Sequence, residues 1–338
     1  MTLLPKTRVQ DPSLAPALRW GILAPGWIAT AFVGSLLKYT SQKVVACGSR
    51  SLERAQQFAD RFGIERAYGS YEELVADPEV DAIYVASVHS RHAEHALLAI
   101  AAGKHVLIEK AFTQTTAQAE EVVAAARAAG VTAMEAMWTR FLPHIDVVRQ
   151  VLADGLLGDV EMVAADHGQW FPENPSNRLY DPDAAGGAML DLGVYPVSFA
   201  HFVLGTPGRV VSRVTSAFTG VDRQVSALFD QYPNPNTHAL VTTTLAARTP
   251  TTATISGSLG RLEIPGPFYA PQPVRLTTVT GDVAESPAPL IQGHDGLCFE
   301  AAHFASLVAE GRPESPWLPL DETVTIMRLM EQLLGAGQ

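Results

Sequence analysis

Cysteine, positive charge and long apolar runs are all scarce in this 338-residue chain, and each shortage closes off a class of protein. Two cysteines, Cys47 and Cys298, are too few for the disulfide framework of a small secreted domain. Cys47 falls in a β-like run and Cys298 beside apolar residues, which suits buried thiols better than ligands. Lys and Arg total 24 against 35 Asp and Glu, a formal charge of −11. A surface of that sign repels phosphate backbones and anionic lipid, so nucleic-acid and membrane partners are not expected. A local site for one small anion is still compatible with it. No uncharged apolar stretch reaches the ~18 residues of a membrane span. The first 17 residues carry three prolines and no apolar core of a secretory signal, so the chain is expected to be cytoplasmic.

What is present is apolar material in a regular order. Hydrophobic residues make up 47% of the chain, enough for a substantial core, and the length suggests two domains. From Leu18 to about Met137, nearly uniform apolar runs (LRWGILA, KVVACGS, DAIYVAS, HVLIEK, VTAMEAM) alternate with amphipathic helical stretches. That rhythm predicts an α/β domain with a parallel sheet covered on both faces. Beyond Asp146 the pattern changes. A strand, VEMVAADHG, leads through a Pro- and Asn-rich loop to a helix over AMLDLGVYPVSFAHFVLG. Short Thr-, Val- and Leu-rich runs from Arg209 to about Thr280 then predict an antiparallel meander, followed by two closing helices.

The first strand–helix turn, LAPGWIA, stands where a dinucleotide fold carries G-x-G-x-x-G/A. Gly26 supplies the middle glycine and Ala29 the last small position, while Ala24 replaces the first glycine and Pro25 follows it. Residues Ala24, Pro25, Gly26, Trp27 and Ile28 are therefore candidates to hold a pyrophosphate at a helix N-terminus. A tight strand–helix turn without a ligand fits the same residues. The second strand ends at Ser49 and Arg50, where NAD-binding folds usually place a carboxylate for the ribose hydroxyls. A hydroxyl and a guanidinium suit a 2′-phosphate instead, so NADP is expected over NAD. A surface arginine beside a helix cap is the plainer alternative.

Ser87, Val88 and His89 lie at the C-terminal end of the fourth strand, with His92 in the next helix, where open α/β sheets receive ligands. The fifth strand ends in Glu109 and Lys110, an unusual finish for a buried strand. In the second half, Asp191 and Tyr195 are four apart on one helix face. A phenol is a poor base unless a neighbouring cation lowers its pKa, so Lys110, Asp191 and Tyr195 are candidates for a proton-handling group. An amphipathic core helix with a capped tyrosine explains the same spacing. Trp138 and Arg140 in MWTRF, and Trp170, Phe171 and Arg178 in the long loop, mix aromatic faces with cations in the manner of a sugar or diol site. No metal-ligand set is expected.

The motifs GILAPGWIA, GSRSLERA, HVLIEK, MEAMWTRFLP, AGGAMLDLGVYPVSF and SPWLPLDETVTIMRLM together resemble the glucose–fructose oxidoreductase / inositol dehydrogenase / MocA family. Within it, they are similar to the dihydrodiol dehydrogenase and NADP-dependent xylose dehydrogenase branch. Residues 1–17, before the resemblance begins, read as a flexible extension, and the resemblance implies a Rossmann domain over 18–140. It implies an α+β domain over 141–338 whose open, mainly antiparallel sheet backs the substrate and builds a homodimer or dimer of dimers, with the last helix free to pack back on the first domain. It also implies Lys110 as a positioning, pKa-lowering cation, Tyr195 as acid/base and Asp191 as the substrate-orienting carboxylate. The activity implied is NADP(H)-dependent hydride transfer to or from a secondary alcohol of a sugar, cyclitol or cyclic diol. A non-catalytic cofactor- or sugar-sensing regulator and a cofactor-retaining glycosidase are the alternatives on the same fold. Two departures stand out: Ala111 follows Glu109-Lys110 where most relatives have proline, and Ala24-Pro25 opens the phosphate turn.

Overall fold

In the computed structural model the described residues, 4–335, divide into two units. Residues 10–141 and 293–324 make the first, and 4–9, 142–292 and 325–335 the second.

The first unit is built on six parallel strands: β1 (Arg19–Leu23), β2 (Lys43–Gly48), β3 (Arg66–Tyr68), β4 (Ala82–Val85), β5 (His105–Glu109) and β6 (Ala133–Ala136). Their order, β3-β2-β1-β4-β5-β6, is that of a doubly wound nucleotide fold, and it reverses direction between β1 and β4. Helices α1 (Trp27–Tyr39), α2 (Leu52–Phe62), α3 (Tyr71–Ala76), α4 (His92–Ala101) and α5 (Thr116–Ala129) make the connections. Helix boundaries follow local chemistry. Thr115 and Gln118 form a reciprocal capping box on α5, and Gly130 ends that helix at φ 67°. Every residue of β4 and β6 is buried, which explains the uniformly apolar strand runs.

The second unit carries an eight-stranded sheet in the order β14-β13-β12-β11-β7-β10-β9-β8. Its strands are β7 (Val160–Gly168), β8 (Arg209–Ser216), β9 (Asp222–Asp230), β10 (His238–Thr244), β11 (Ala253–Gly257), β12 (Gly260–Ile264), β13 (Arg275–Thr278) and β14 (Val283–Glu285). Strands β7 and β10 pair in parallel; the other pairings among the described residues of this sheet are antiparallel. One face buries Val225, Ala227, Phe229, Val241, Ile255 and Leu262. The alternate residues of several strands, among them Val211 and Leu240, are exposed, as expected of a sheet covered on one side. Helices α6 (Pro143–Ala153) and α7 (Val194–Leu204) belong to this unit, and α7 packs on β7 and β10. The stretch Pro182–Leu204 is long and apolar enough to cross a membrane, but 78% of its most apolar window is buried within the fold.

Two expectations from the sequence need revision. The second domain does not run unbroken from residue 141: residues 293–324, with α8 (Leu297–Ala309), return to the first unit. The cause is packing, because Phe304 of α8 lies 5.3 Å from Trp20 of β1, whose ring also meets Phe32 at 5.4 Å. The closing helix α9 (Leu320–Gly335) has residues in both units. The 1–17 extension, read as flexible, is tied down over its described part, with residues 1–3 outside the described residues. Arg8 donates its main-chain N–H and its guanidinium to the buried Asp146 carboxylate at 2.6 and 2.7 Å, and Asp11 caps a turn at Pro12–Leu14.

Candidate active site

In the first unit the candidate residues cluster at the C-terminal ends of the strands. Ala24 holds a left-handed backbone at φ 63°, the conformation a glycine-led turn supplies without a side-chain cost. Gly26 is the N-cap of α1, and among the described residues no side chain caps that helix from this position. A methyl group at Gly26 would approach nothing closer than the Ala24 carbonyl at 3.9 Å, so this backbone faces open space. Uncapped first-turn N–H groups beside an open glycine fit a phosphate. Pro25 and Ile28 are half-buried there and Trp27 is exposed. Ser49 and Arg50 follow β2, with Ser49 half-buried, its N–H on the Tyr68 carbonyl, and Arg50 exposed near Tyr71.

At the end of β4, the Ser87 hydroxyl is buried without a hydrogen-bond partner among the described residues, Val88 is exposed and His89 is buried. His92 is buried as well. Its Nδ1 lies 2.8 Å from the Ala111 carbonyl and its Nε2 3.0 Å from the Ser87 carbonyl. The ring thus lies between the β4 and β5 loops with a main-chain carbonyl at each nitrogen, and in its neutral form it donates to one of the two. Two carbonyls would favour a doubly protonated ring, but burial acts more strongly and lowers the His92 pKa to about 4.

Glu109 accepts from the Tyr84 hydroxyl and, at 3.2 Å, from the Lys110 main-chain N–H. The Lys110–Ala111 peptide is cis, although residue 111 is not proline. Lys110 is close enough to His294 to help lower its pKa, after burial as the main cause. The His294 ring stacks on Trp138 at 5.6 Å and meets Trp27 edge-on at 4.9 Å. His294 lies in the returning segment, so nothing in the local sequence placed it beside the first-strand turn. Arg140, a substrate candidate by sequence, is buried and holds Glu322 at 2.6 Å and the Trp317 carbonyl at 3.2 Å.

Beneath β5 and β6 lies a group of carboxyls that sequence reading did not single out. Glu135 accepts from the Phe112 N–H and the Thr323 hydroxyl, both at 3.2 Å. Burial pushes it up to about 7, with a further push from Glu109. Glu300 on α8 is fully buried, and neither carboxyl oxygen is hydrogen-bonded among the described residues. Burial first, then Glu109 and Glu135, hold its pKa well above the ordinary carboxyl range.

In the second unit, Asp191 and Tyr195 sit at the junction of a π turn (Met189–Gly193) with α7, and both are 7% exposed. The expected single helix therefore begins with a wider turn, a feature frequent at functional sites. Gly187 explains the approach to it. Its φ is 119°, and a methyl there would fall 2.1 Å from the Asp222 carboxylate. Asp222 in turn accepts the Met189 N–H at 2.6 Å, anchoring the start of the turn. Burial raises Asp222 to about 7.

Arg178 reaches Asp191 at 3.0 Å, and its own side chain is half-exposed. The Tyr195 ring stacks on Tyr269 at 4.6 Å and contacts His167 at 5.4 Å. Phe171 packs on the cluster around Tyr180 and Leu245, whereas Trp170 is 56% exposed. His167, Gln169, Asp222 and Tyr269 were not singled out by sequence; only the polar ending of the VEMVAADHG strand hinted at the first of them.

Residues 18–137 match the oxidoreductase family with an NAD-binding Rossmann fold, and residues 145–263 match the GFO/IDH/MocA C-terminal domain. The chain belongs to the GFO/IDH/MocA family. Among curated members, it is 39% identical to mouse (Mus musculus) trans-1,2-dihydrobenzene-1,2-diol dehydrogenase, over 94% of this chain and 96% of that one. It is 36% identical to the D-xylose 1-dehydrogenase (NADP(+)) of Hypocrea jecorina, over 95% of this chain and 92% of that one. A solved member, a 3-ketoreductase from Actinomadura kijaniata in complex with NADP and TDP-benzene, superposes with a TM-score of 0.83 at 28% identity. That match covers 95% of this chain and 98% of the other. As a GFO/IDH/MocA protein, the chain is an NAD(P)-dependent oxidoreductase.

Proposed function

We propose that this protein is an NADP(H)-dependent oxidoreductase acting on a secondary alcohol or carbonyl of a sugar, cyclitol or cyclic diol. The observation that carries the proposal is the Asp191–Tyr195 pair at the π turn, with Arg178 on the carboxylate and an aromatic stack behind the phenol. The dihydrodiol and xylose dehydrogenases among the relatives agree with that substrate class.

The bound nicotinamide supplies the hydride chemistry; the protein supplies binding, orientation and proton handling. Gly26 and the first turn of α1 hold the pyrophosphate, with Ser87 as a further hydroxyl at the strand ends. Ser49 and Arg50 take the 2′-phosphate, which favours NADP over NAD. Asp191, held by Arg178, accepts a hydrogen bond from a substrate hydroxyl and fixes which carbon is presented. Tyr195 takes the proton of the reacting hydroxyl during oxidation and returns it during reduction. Lys110 is assigned the part of positioning cation. The exposed apolar residues of the eight-stranded sheet, such as Val211 and Leu240, support a homodimer built on that face. The free cysteines Cys47 and Cys298, both buried, suit a reducing cytoplasm.

Turnover of NADP+ and NAD+ against a panel of aldoses, cyclitols and cyclic diols, followed by reduced-nicotinamide absorbance, tests the proposal. NADP+-linked oxidation of at least one vicinal diol or aldose is expected. Tight NADP+ binding without turnover on any member would favour a sensing regulator. Cleavage of an aryl glycoside with no net absorbance change would favour a cofactor-retaining glycosidase.

A further inference from the structure

Behind the Tyr195 phenol lies a hydrogen-bonded arrangement whose polarity is fixed by its partners. His167 of β7 is 1% exposed. Its Nδ1 lies 3.2 Å from the Leu192 carbonyl, and its Nε2 lies 3.0 Å from the Gln169 side-chain nitrogen. A carbonyl only accepts, so Nδ1 carries the proton. The neutral ring then presents a lone pair at Nε2, which receives the Gln169 N–H. Both nitrogens are satisfied in one tautomer.

Leu192 lies inside the π turn, one residue after Asp191 and three before Tyr195. The His167 N–H therefore holds the segment that joins the two candidate residues. The same imidazole packs its ring 4.5 Å from Tyr269, and Tyr269 stacks on Tyr195 at an interplanar angle of 27°. Asp191 is near enough to Tyr269 to help raise its pKa after burial, the main cause, while Gln169 acts in the opposite direction. One histidine thus touches the main chain of the turn, the phenol ring and the ring stacked against that phenol.

We propose that His167 is a positioning residue for Tyr195: its Nδ1–H fixes the π turn, and its ring, with Tyr269, confines the phenol to one orientation. The inference rests on the reading of Tyr195 as acid/base. A turn free to shift would move the phenol oxygen without removing it, and displacement by about 1 Å is enough to cost about 100-fold in rate. Cofactor binding would be much less affected.

The test compares His167→Asn, whose side-chain N–H overlays Nδ1, with His167→Leu, which fills the space without a donor, and with His167→Ala. Steady-state kinetics use NADP+ with trans-cyclohexane-1,2-diol or D-xylose. His167→Leu and His167→Ala are expected to lose about 10- to 100-fold in kcat with little change in the KM for NADP+, and His167→Asn to recover most of it. A second readout needs no turnover: in protein labelled with 13Cζ-tyrosine, the Tyr195 resonance is assigned by its loss in Tyr195→Phe. It keeps its shift in His167→Asn and moves in His167→Leu. If His167→Ala does not fold, the Asn–Leu comparison decides. Equal kcat and an unmoved Tyr195 resonance in His167→Leu would overturn the proposal. Full turnover by Tyr195→Phe would instead overturn the acid/base reading while leaving the resonance result to judge the clamp.

Discussion

Replacing Glu135 with glutamine removes a proton that the folded first unit holds and the unfolded chain releases. Burial, aided by Glu109 and opposed by Thr323, the Phe112 N–H and Arg140, pushes the Glu135 carboxyl from 4.5 up to about 7. Between those values the folded state binds more protons than the unfolded state, so stability falls as pH rises. Across that interval of about 2.5 pH units, at about 1.4 kcal/mol per unit, the loss attributable to Glu135 is about 3 kcal/mol. Glutamine keeps the shape and one acceptor but does not titrate. The variant carries a constant penalty of about 1 kcal/mol for the lost acceptor, and its stability is flatter with pH. Glu300, whose raised pKa acts in the same direction, keeps part of the slope in the single variant. Adding Glu300→Gln flattens it further. Denaturant unfolding at pH 5, 6 and 7, followed by tryptophan fluorescence, is the suitable assay, because Trp20, Trp27, Trp138 and Trp317 all lie in the unit that contains Glu135. Parallel pH profiles for wild type and Glu135→Gln would refute the reasoning.

Other substitutions probe the site from different sides. Ala24→Gly relieves the left-handed backbone at φ 63° and should stabilise the first unit by about 1 kcal/mol, measurable as a raised thermal midpoint. Arg50→Ala should raise the KM for NADP+ about 10- to 100-fold and leave the KM for NAD+ nearly unchanged, as loss of a charge-assisted bond to a 2′-phosphate requires. Gly187→Ala forces a methyl to 2.1 Å from Asp222 in a backbone conformation that alanine resists. It should cost about 3 kcal/mol in unfolding experiments and lower kcat through the displaced π turn.

The parts of this molecule that were legible in the sequence are those written in short-range pattern. Uniform apolar runs such as AIYV mark strands covered on both faces, and Lys110 is conspicuous because a cation seldom comes directly after a buried strand such as β5. Asp191 and Tyr195 share a face at helical spacing even though the turn between them is wider than an α-helix. What was not legible depends on contacts distant in sequence. His294 meets Trp27 and Trp138 because residues 293–324 return to the first unit, and no periodicity announces such a return. His167 reads as one polar residue near the end of a strand, and its meaning comes from the Leu192 carbonyl 25 residues later. The pairing of Arg140 with Glu322, 182 residues away, likewise has no local signal.

The central claim, that Tyr195 handles the proton of the reacting hydroxyl, is tested most directly by Tyr195→Phe. Phenylalanine keeps the ring stacked on Tyr269 and removes only the hydroxyl. Binding of NADPH, followed by fluorescence titration, should be unchanged, while kcat for NADP+-linked oxidation of the best substrate falls by about 100- to 10,000-fold. A Tyr195→Phe protein that binds NADPH normally and retains wild-type turnover would contradict the account.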